Sequence, residues 1–247
     1  MTDAELAANI AMEAGSLLLE LQEDGGVSGR ALGDAGDRQA NRLILDRLAA
    51  ARPDDAVLSE EAEDDLARLS ARRVWIVDPL DGTREYAERR DDWAVHVGLA
   101  IDGAPGPGAI ALPGRARLFR SDRPDNLPPA GSPVRIITSR TRPAPIAEAV
   151  AKDIDAELLR LGSAGAKVAA VLLGEADAYL HSGPQREWDN LAPVAVALAA
   201  GLHCSRLDGT PLRYNRRDVI VPDLMVCRAE LAEALLASVR RLSPSLG

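Results

Sequence analysis

Aromatic residues are scarce in this 247-residue chain, at three Trp, three Tyr and one Phe. Alanine, leucine and valine therefore carry most of the apolar 47%, which is enough to bury a core and argues against intrinsic disorder. Positive charge is in deficit as well. The formal net charge of −9 excludes general nucleic-acid binding, which needs basic stripes to displace counterions. The two cysteines, Cys204 and Cys227, have no metal-ligand spacing and are expected as reduced, buried thiols. No apolar run approaches the roughly 20 residues of a membrane span. The N-terminal MTDAELAANIAMEAGSLLLE, broken by Glu5 and Glu13, does not read as a signal peptide. These absences predict a soluble cytoplasmic protein with no nucleic-acid or membrane partner. Its length fits one large domain or two small ones packed together.

What is present is an alternation of helical and strand patterns. Thr2 and Glu5 form a capping-box pair ahead of Leu6, Ile10, Leu17 and Leu21 at helical spacing. A glycine-rich loop is expected over Gly25–Gly36, then a second helix with Asp37 at its start. AVLSEE (56–61), VWIV (74–77) and AVHVGLAI (94–101) read as strands, with a turn at DGAPGPG and two further strands to ARLFR. PDNLPPAGSP (124–133) is the strongest Pro/Gly interruption. It divides the chain into an N-terminal α+β domain (1–130) and a C-terminal α/β domain (131–247). Beyond it lie strands at VRIITS, AELLRLG, ADAYLH, HCSRL and LMVCRA, a helix over 144–152 and a helix N-capped by Ser163. A long helix then stops at Gly201, and a terminal helix begins at Glu230.

The chemistry concentrates in VWIVDPLDGTREY (74–86), an apolar strand running into two aspartates. Clustered carboxylates repel one another and lose hydration, so they persist where a cation holds them. Glu60 and Glu61 end one strand, Asp78 ends the next, Asp81 follows a bend forced at Pro79, and Asp189 starts a helix in EWDN. The Leu80 carbonyl could face inward with them. Gly82 permits close backbone approach, and Thr83 could sit at a helix N-terminus that favours a phosphate. Carboxylates, a carbonyl and water suit Mg²⁺, and a pair of such ions would clamp the oxygens of a phosphoryl transfer. The acids would bind the metals and the metals the anion. On residues alone, DPLD could equally be a helix-capping turn, Glu61 could replace Glu60, and Asp189 or Asp37 could be ordinary N-caps.

SEE (59–61), WIVDPLDGT (75–83), GSAGAK (162–167) and EWDNLAP (187–193) together resemble the inositol monophosphatase superfamily of Mg²⁺-dependent phosphatases, in its order and spacing over essentially the whole chain. REY (84–86), AGDRQAN, RDDWAVH and SRLDGTPLRYN are similar to the CysQ-type 3′(2′),5′-bisphosphate nucleotidases, particularly their actinobacterial form. The resemblance implies a layered αβαβα sandwich and removal of the 3′-phosphate of 3′-phosphoadenosine 5′-phosphate (PAP), with its sulfated analogue, inositol phosphates or fructose 1,6-bisphosphate as further substrates. It also implies lithium sensitivity.

Carried over by position, Glu60, Asp78 and the Leu80 carbonyl would hold one Mg²⁺, and Asp78, Asp81 and Asp189 a second. Asp37 and Thr83 would orient and help deprotonate the attacking water, with Asp37 touching a third, weakly held ion. The N–H groups of Gly82 and Thr83 would bind the transferred phosphate. Ser163, Gly165 and Lys167 would lie against the nucleotide, Lys167 facing its 5′-phosphate, and Thr141 and Arg142 would face substrate. Arg142 departs from the histidine usual there, although an arginine binds phosphate through a bidentate contact. His96, His181 and His203 are assigned no metal. The cluster at 89–92 is expected on a solvated loop over the site mouth. Alternatives are an inositol-phosphate or sugar-bisphosphate phosphatase, a pathway-specific 3′-phosphonucleoside phosphatase and a non-catalytic nucleotide sensor, with the protein a monomer or homodimer.

Overall fold

The computed structural model describes residues 1–243. Two helices, α1 (Asp3–Asp24) and α2 (Gly29–Ala51), open the chain. Thr2 and Glu5 cap α1 reciprocally, each backbone N–H donating to the other's side chain. A first sheet follows in chain order: β1 (Ala56–Ser59), β2 (Arg73–Asp81), β3 (Ala94–Ile101), β4 (Ala104–Leu112) and β5 (Arg117–Arg120). The short helix α3 (Thr83–Ala87) lies between β2 and β3. Residues 124–133, without helix or strand, lead to a second sheet. It comprises β6 (Arg135–Ser139), β7 (Glu157–Leu161), β8 (Ala178–Arg186), β9 (His203–Ser205) and β10 (Ile220–Cys227), in the order β7-β6-β8-β10-β9. Its helices are α4 (Pro145–Asp153), α5 (Ala164–Leu172), α6 (Glu187–Ala199) and α7 (Ala232–Leu242).

Strand alternation builds the layers, because successive side chains point to opposite faces. Trp75 and Val77 of β2 pack with Leu6, Ile10, Leu18 and Ile44 of α1 and α2. Val74 and Ile76 face the other way, into a core made with α5 and α6 and with Ile137, Tyr179, Leu224 and Val226 of the second sheet. Ile136, Leu180 and Met225 line that sheet's outer face against α4 and α7. The result is the expected αβαβα sandwich. Cys204 and Cys227 are free thiols.

Several boundaries differ from the sequence reading. Gly29–Gly36 are helical rather than a loop, and Asp37 lies well inside α2 instead of at its start. Tight packing explains the glycines: a Cβ at Gly33 would lie 2.7 Å from Thr83 Cγ2, and one at Gly36 would lie 2.9 Å from Leu18 Cδ2. The turn at 102–103 is also shorter than expected. Asp102 and Gly103 both have positive φ, as a two-residue hairpin requires, so β4 starts at Ala104. Pro105 and Pro107 fit there because β5 pairs only with Ala109–Leu112 and leaves that stretch as an edge. A 3-10 turn, Ala229–Leu231, precedes α7.

Candidate active site at the ends of β2 and α6

A break in the sheet brings the acids together. Asp78 pairs with His96 and Asp81 with Ala94, so three steps along β2 match two along β3. Three residues apart on a regular strand, Asp78 and Asp81 would face opposite sides; the extra residue at Pro79–Leu80 turns both the same way. Pro79 has no N–H to give the ladder, which makes it a tolerable place for the bulge. The freed Leu80 N–H donates to Asp78 Oδ1 at 3.0 Å, and the Leu80 carbonyl accepts from Thr83 Oγ1 at 3.2 Å. Gly82 then turns at φ 94°, where a Cβ would press on Ser163 and Trp93 at 3.3 Å.

Asp189 joins from the first turn of α6. Its carboxylate accepts from Arg186 N at 2.6 Å, so it caps the helix and still reaches the cluster. One carboxylate oxygen each from Asp78, Asp81 and Asp189 lies within 4.8 Å of the others. Asp78 is buried and Glu60 sits exposed at the rim of the same cavity.

The electrostatics split the acids into two kinds. Desolvation, then the charges of Glu60, Asp81 and Asp189, raises Asp78 well above the carboxylate range. Desolvation and the Asp81 charge push Asp189 up to about 6. Desolvation followed by Asp189, Asp37 and Asp81 pushes Glu60 to about 7; its exposure lets water soften the first of these. Asp37, half-buried, reaches about 7 through desolvation and the Glu61 charge, while the Thr83 side chain pulls the other way. Asp81 is the exception. Burial would raise it, but the His96 ring, Lys167 and the Ser163 hydroxyl hold it at about 2. The Ser163 hydroxyl and Gly165 N–H both donate to Asp81 Oδ2, the latter at 2.8 Å. His96 Nε2 stands 3.2 Å from the same oxygen, and its Nδ1 lies 3.1 Å from the Trp188 carbonyl. Raised proton affinity in Asp78, Asp189, Glu60 and Asp37 is what crowded carboxylates show, and an all-oxygen donor set of this kind suits a hard, oxygen-loving metal.

A cavity of about 370 Å³ opens from this cluster. Glu60, Asp78, Leu80, Asp81, Gly82, Thr83, Thr141, Arg142, Ser163, Lys167 and Asp189 line it; Asp37 and Gly165 do not. Gly165 backs the site instead, where a Cβ would lie 2.2 Å from His96 Nε2. Lys167 is buried and donates to the carbonyls of Gly162 and Ser163, with its ammonium 5.2 Å from the centre of the Tyr179 ring. Burial lowers its pKa to about 8, against the pull of Asp81 and Glu85. Thr141 and Arg142 are exposed at the mouth.

Two features escaped the sequence reading. His181 lines the cavity with neither ring nitrogen hydrogen-bonded among the described residues, its pKa lowered to about 4 by burial and by the charges of Lys167 and Arg142. Alternation along β8 puts it on the face of Tyr179, but which face borders the cleft is a tertiary fact. The 89–92 cluster is no solvated loop throughout. Asp92 is fully buried, paired with Arg90 Nε at 2.6 Å and accepting from Gly162 N at 2.8 Å. A carboxylate with three donors can be buried, and the local charge pattern alone does not reveal those donors.

The family model for the inositol monophosphatase family matches residues 2–126 and 130–243. A Mycobacterium leprae protein named 3′-phosphoadenosine 5′-phosphate phosphatase is 52% identical, over 98% of this chain and 95% of that one. The Escherichia coli 3′(2′),5′-bisphosphate nucleotidase CysQ is 30% identical, over 74% of this chain and 80% of its own. The crystal structure of CysQ from Bacteroides thetaiotaomicron superposes with a TM-score of 0.80 at 29% identity, covering 92% of this chain and 97% of that chain. Fold, acid cluster and sequence likeness agree, and the chain belongs to the inositol monophosphatase family.

Proposed function

We propose that the protein is a phosphomonoesterase that removes the 3′-phosphate of PAP, giving AMP and inorganic phosphate. The observation that carries this reading is that one cavity is lined both by the carboxylates Glu60, Asp78, Asp81 and Asp189 and by Arg142, Lys167 and His181. A substrate with two phosphates suits such a lining, one phosphate on the acids' metals and one on the basic groups. The 52% identity to a PAP phosphatase supports the same substrate.

Glu60, Asp78 and the Leu80 carbonyl would hold one Mg²⁺, and Asp78, Asp81 and Asp189 another; Asp37 would touch a third. Bound there, Mg²⁺ lowers the proton affinity of water and neutralises phosphate charge. The N–H groups of Gly82 and Thr83, at the start of α3, orient the transferred phosphate. Thr83 and Asp37, lying side by side, position the attacking water, and Asp37 in its ionised form accepts its proton. The water oxygen bonds to phosphorus as the bond to the ribose 3′-oxygen breaks, and that oxygen takes up a proton from solvent water as it leaves. Thr141, Arg142, Ser163 and Lys167 take the nucleotide end.

The test is phosphate release from PAP, inositol 1-phosphate and fructose 1,6-bisphosphate, with Mg²⁺ and with EDTA. A metal-dependent preference for PAP is expected. Metal-dependent preference for either other substrate would overturn the nucleotide reading, and no release from any would overturn the phosphatase.

A further inference from the structure

Glu85 is a buried carboxylate, 5% exposed, that takes no part in the chemistry above. It sits on α3, two residues after Thr83, lines the cavity, and meets Arg140 at the end of β6 in the second sheet. Arg140 Nη2 donates to Glu85 Oε1 at 2.8 Å and to Glu88 Oε2 at 2.9 Å, and Arg140 Nε reaches Glu85 Oε1 at 3.3 Å. Arg140 is itself fixed, because its N–H donates to the Leu161 carbonyl at 2.9 Å. The next two residues are Thr141 and Arg142, on the cavity wall.

The Glu85 side chain also packs on the turn before Ser163, where a Cβ at Gly162 would lie 2.3 Å from Glu85 Cδ. Its carbonyl accepts from Arg90 N at 2.9 Å, and Arg90 in turn holds Asp92, which binds Gly162 N. One side chain thus touches three segments: the loop of Asp81 and Thr83, the turn carrying Ser163, and the strand end carrying Thr141 and Arg142. These are both walls of the cleft.

We propose that Glu85 and Arg140 form a clasp that sets the distance between the phosphate-transfer end and the substrate-recognition end, making both of them positioning residues for substrates that span the cleft. This rests on the bisphosphate reading for the identity of the spanning substrate, not for the clasp itself. A buried carboxylate gains from the forked guanidinium both charge and a fixed direction. Without the fork, the loop of Thr141 and Arg142 is anchored only through its backbone. A small monoester that occupies the acid end alone has no use for the clasp.

The experiment compares PAP with p-nitrophenyl phosphate, which lacks a second phosphate, in Arg140→Ala, Arg140→Lys, Glu85→Gln and Glu88→Ala. For Arg140→Ala, KM for PAP should rise about tenfold with kcat within about threefold, as couplings of this kind allow. KM for p-nitrophenyl phosphate should stay put. Arg140→Lys keeps the charge but loses the fork, and should give a smaller KM increase on PAP alone. It carries the test if Arg140→Ala fails to fold. Glu88→Ala, the exposed arm, should change KM by less than about threefold. The double variant Glu85→Gln/Arg140→Ala should be no worse than the poorer single one. Equal losses on both substrates, additive losses in the double variant, or unchanged KM for PAP in both Arg140 variants would overturn the clasp. Should the wild type prefer a substrate other than PAP, the nucleotide reading falls, and that substrate against p-nitrophenyl phosphate decides the clasp.

Discussion

The two ends of the cleft are built on different principles. At the acid end the three clustered aspartates are each held by backbone: Asp78 by Leu80 N, Asp189 by Arg186 N, Asp81 by Gly165 N. Elsewhere in the cavity Arg142 is exposed and, among the described residues, neither ring nitrogen of His181 has a hydrogen-bond partner. The first is rigid before anything binds. The second leaves Arg142 and His181 to be satisfied by a ligand. Chemistry demands atoms held in place, whereas recognition of a varied leaving group tolerates adjustment.

The largest test of that contrast is Asp81→Asn. The amide keeps an acceptor for Gly165 N but removes the one firmly ionised charge, so kcat should fall by about a thousandfold or more with the fold retained. Near-normal Mg²⁺-dependent rates at an unchanged melting temperature would break the picture of the acid end. Next in size, Thr83→Val should lower kcat about a hundredfold with little change in KM, since it removes a proton-handling group. Steady-state kinetics on PAP checks this, and a KM effect alone would reassign Thr83 to binding.

Metal linkage comes third. Asp37, Glu60 and Asp189 have folded-state pKa values raised to about 7, 7 and 6. Their protonated forms therefore favour the fold, fully below pH 4, and that stabilisation fades as pH rises through about 6 to 7. Metal-free protein should melt at a lower temperature at pH 8 than at pH 5.5. Mg²⁺ needs the ionised carboxylates, so its stabilising shift should grow over the same interval, to about 5–10 °C at a hundredfold excess over Kd. Thermal melts with Mg²⁺ and with EDTA at both pH values decide it, and equal shifts would count against these carboxylates as ligands. The smallest effect is at the adaptable end: Arg142→Ala should raise KM for PAP about tenfold, leave kcat alone and weaken the salt dependence of KM. A drop in kcat instead would mean that this end is as preorganised as the other.

The acid motif was legible because its chemistry forces a local pattern: an apolar strand, a proline, a glycine, and carboxylates at element ends. The Ser163 cap and the Thr2–Glu5 capping box were legible for the same reason, since each needs only neighbours within one turn. The start of α2 was not, because Gly33 and Gly36 look like loop residues until Thr83, Leu18 and Tyr86 are seen against them.

Periodicity and turn chemistry thus determined the strands of both sheets, acids at element ends marked the residues able to hold a cation, and the layer order came from the family resemblance. Only the tertiary structure decided that a one-residue bulge turns Asp78 and Asp81 to one side, and that Asp92 is buried. It alone decided that Lys167 is tied to its own backbone and that Glu85 reaches across to Arg140. The physical reason is range. Caps, turns and alternation are set by residues within a few positions, whereas burial, proton affinity and ion pairing depend on partners that chain folding brings from far away in sequence.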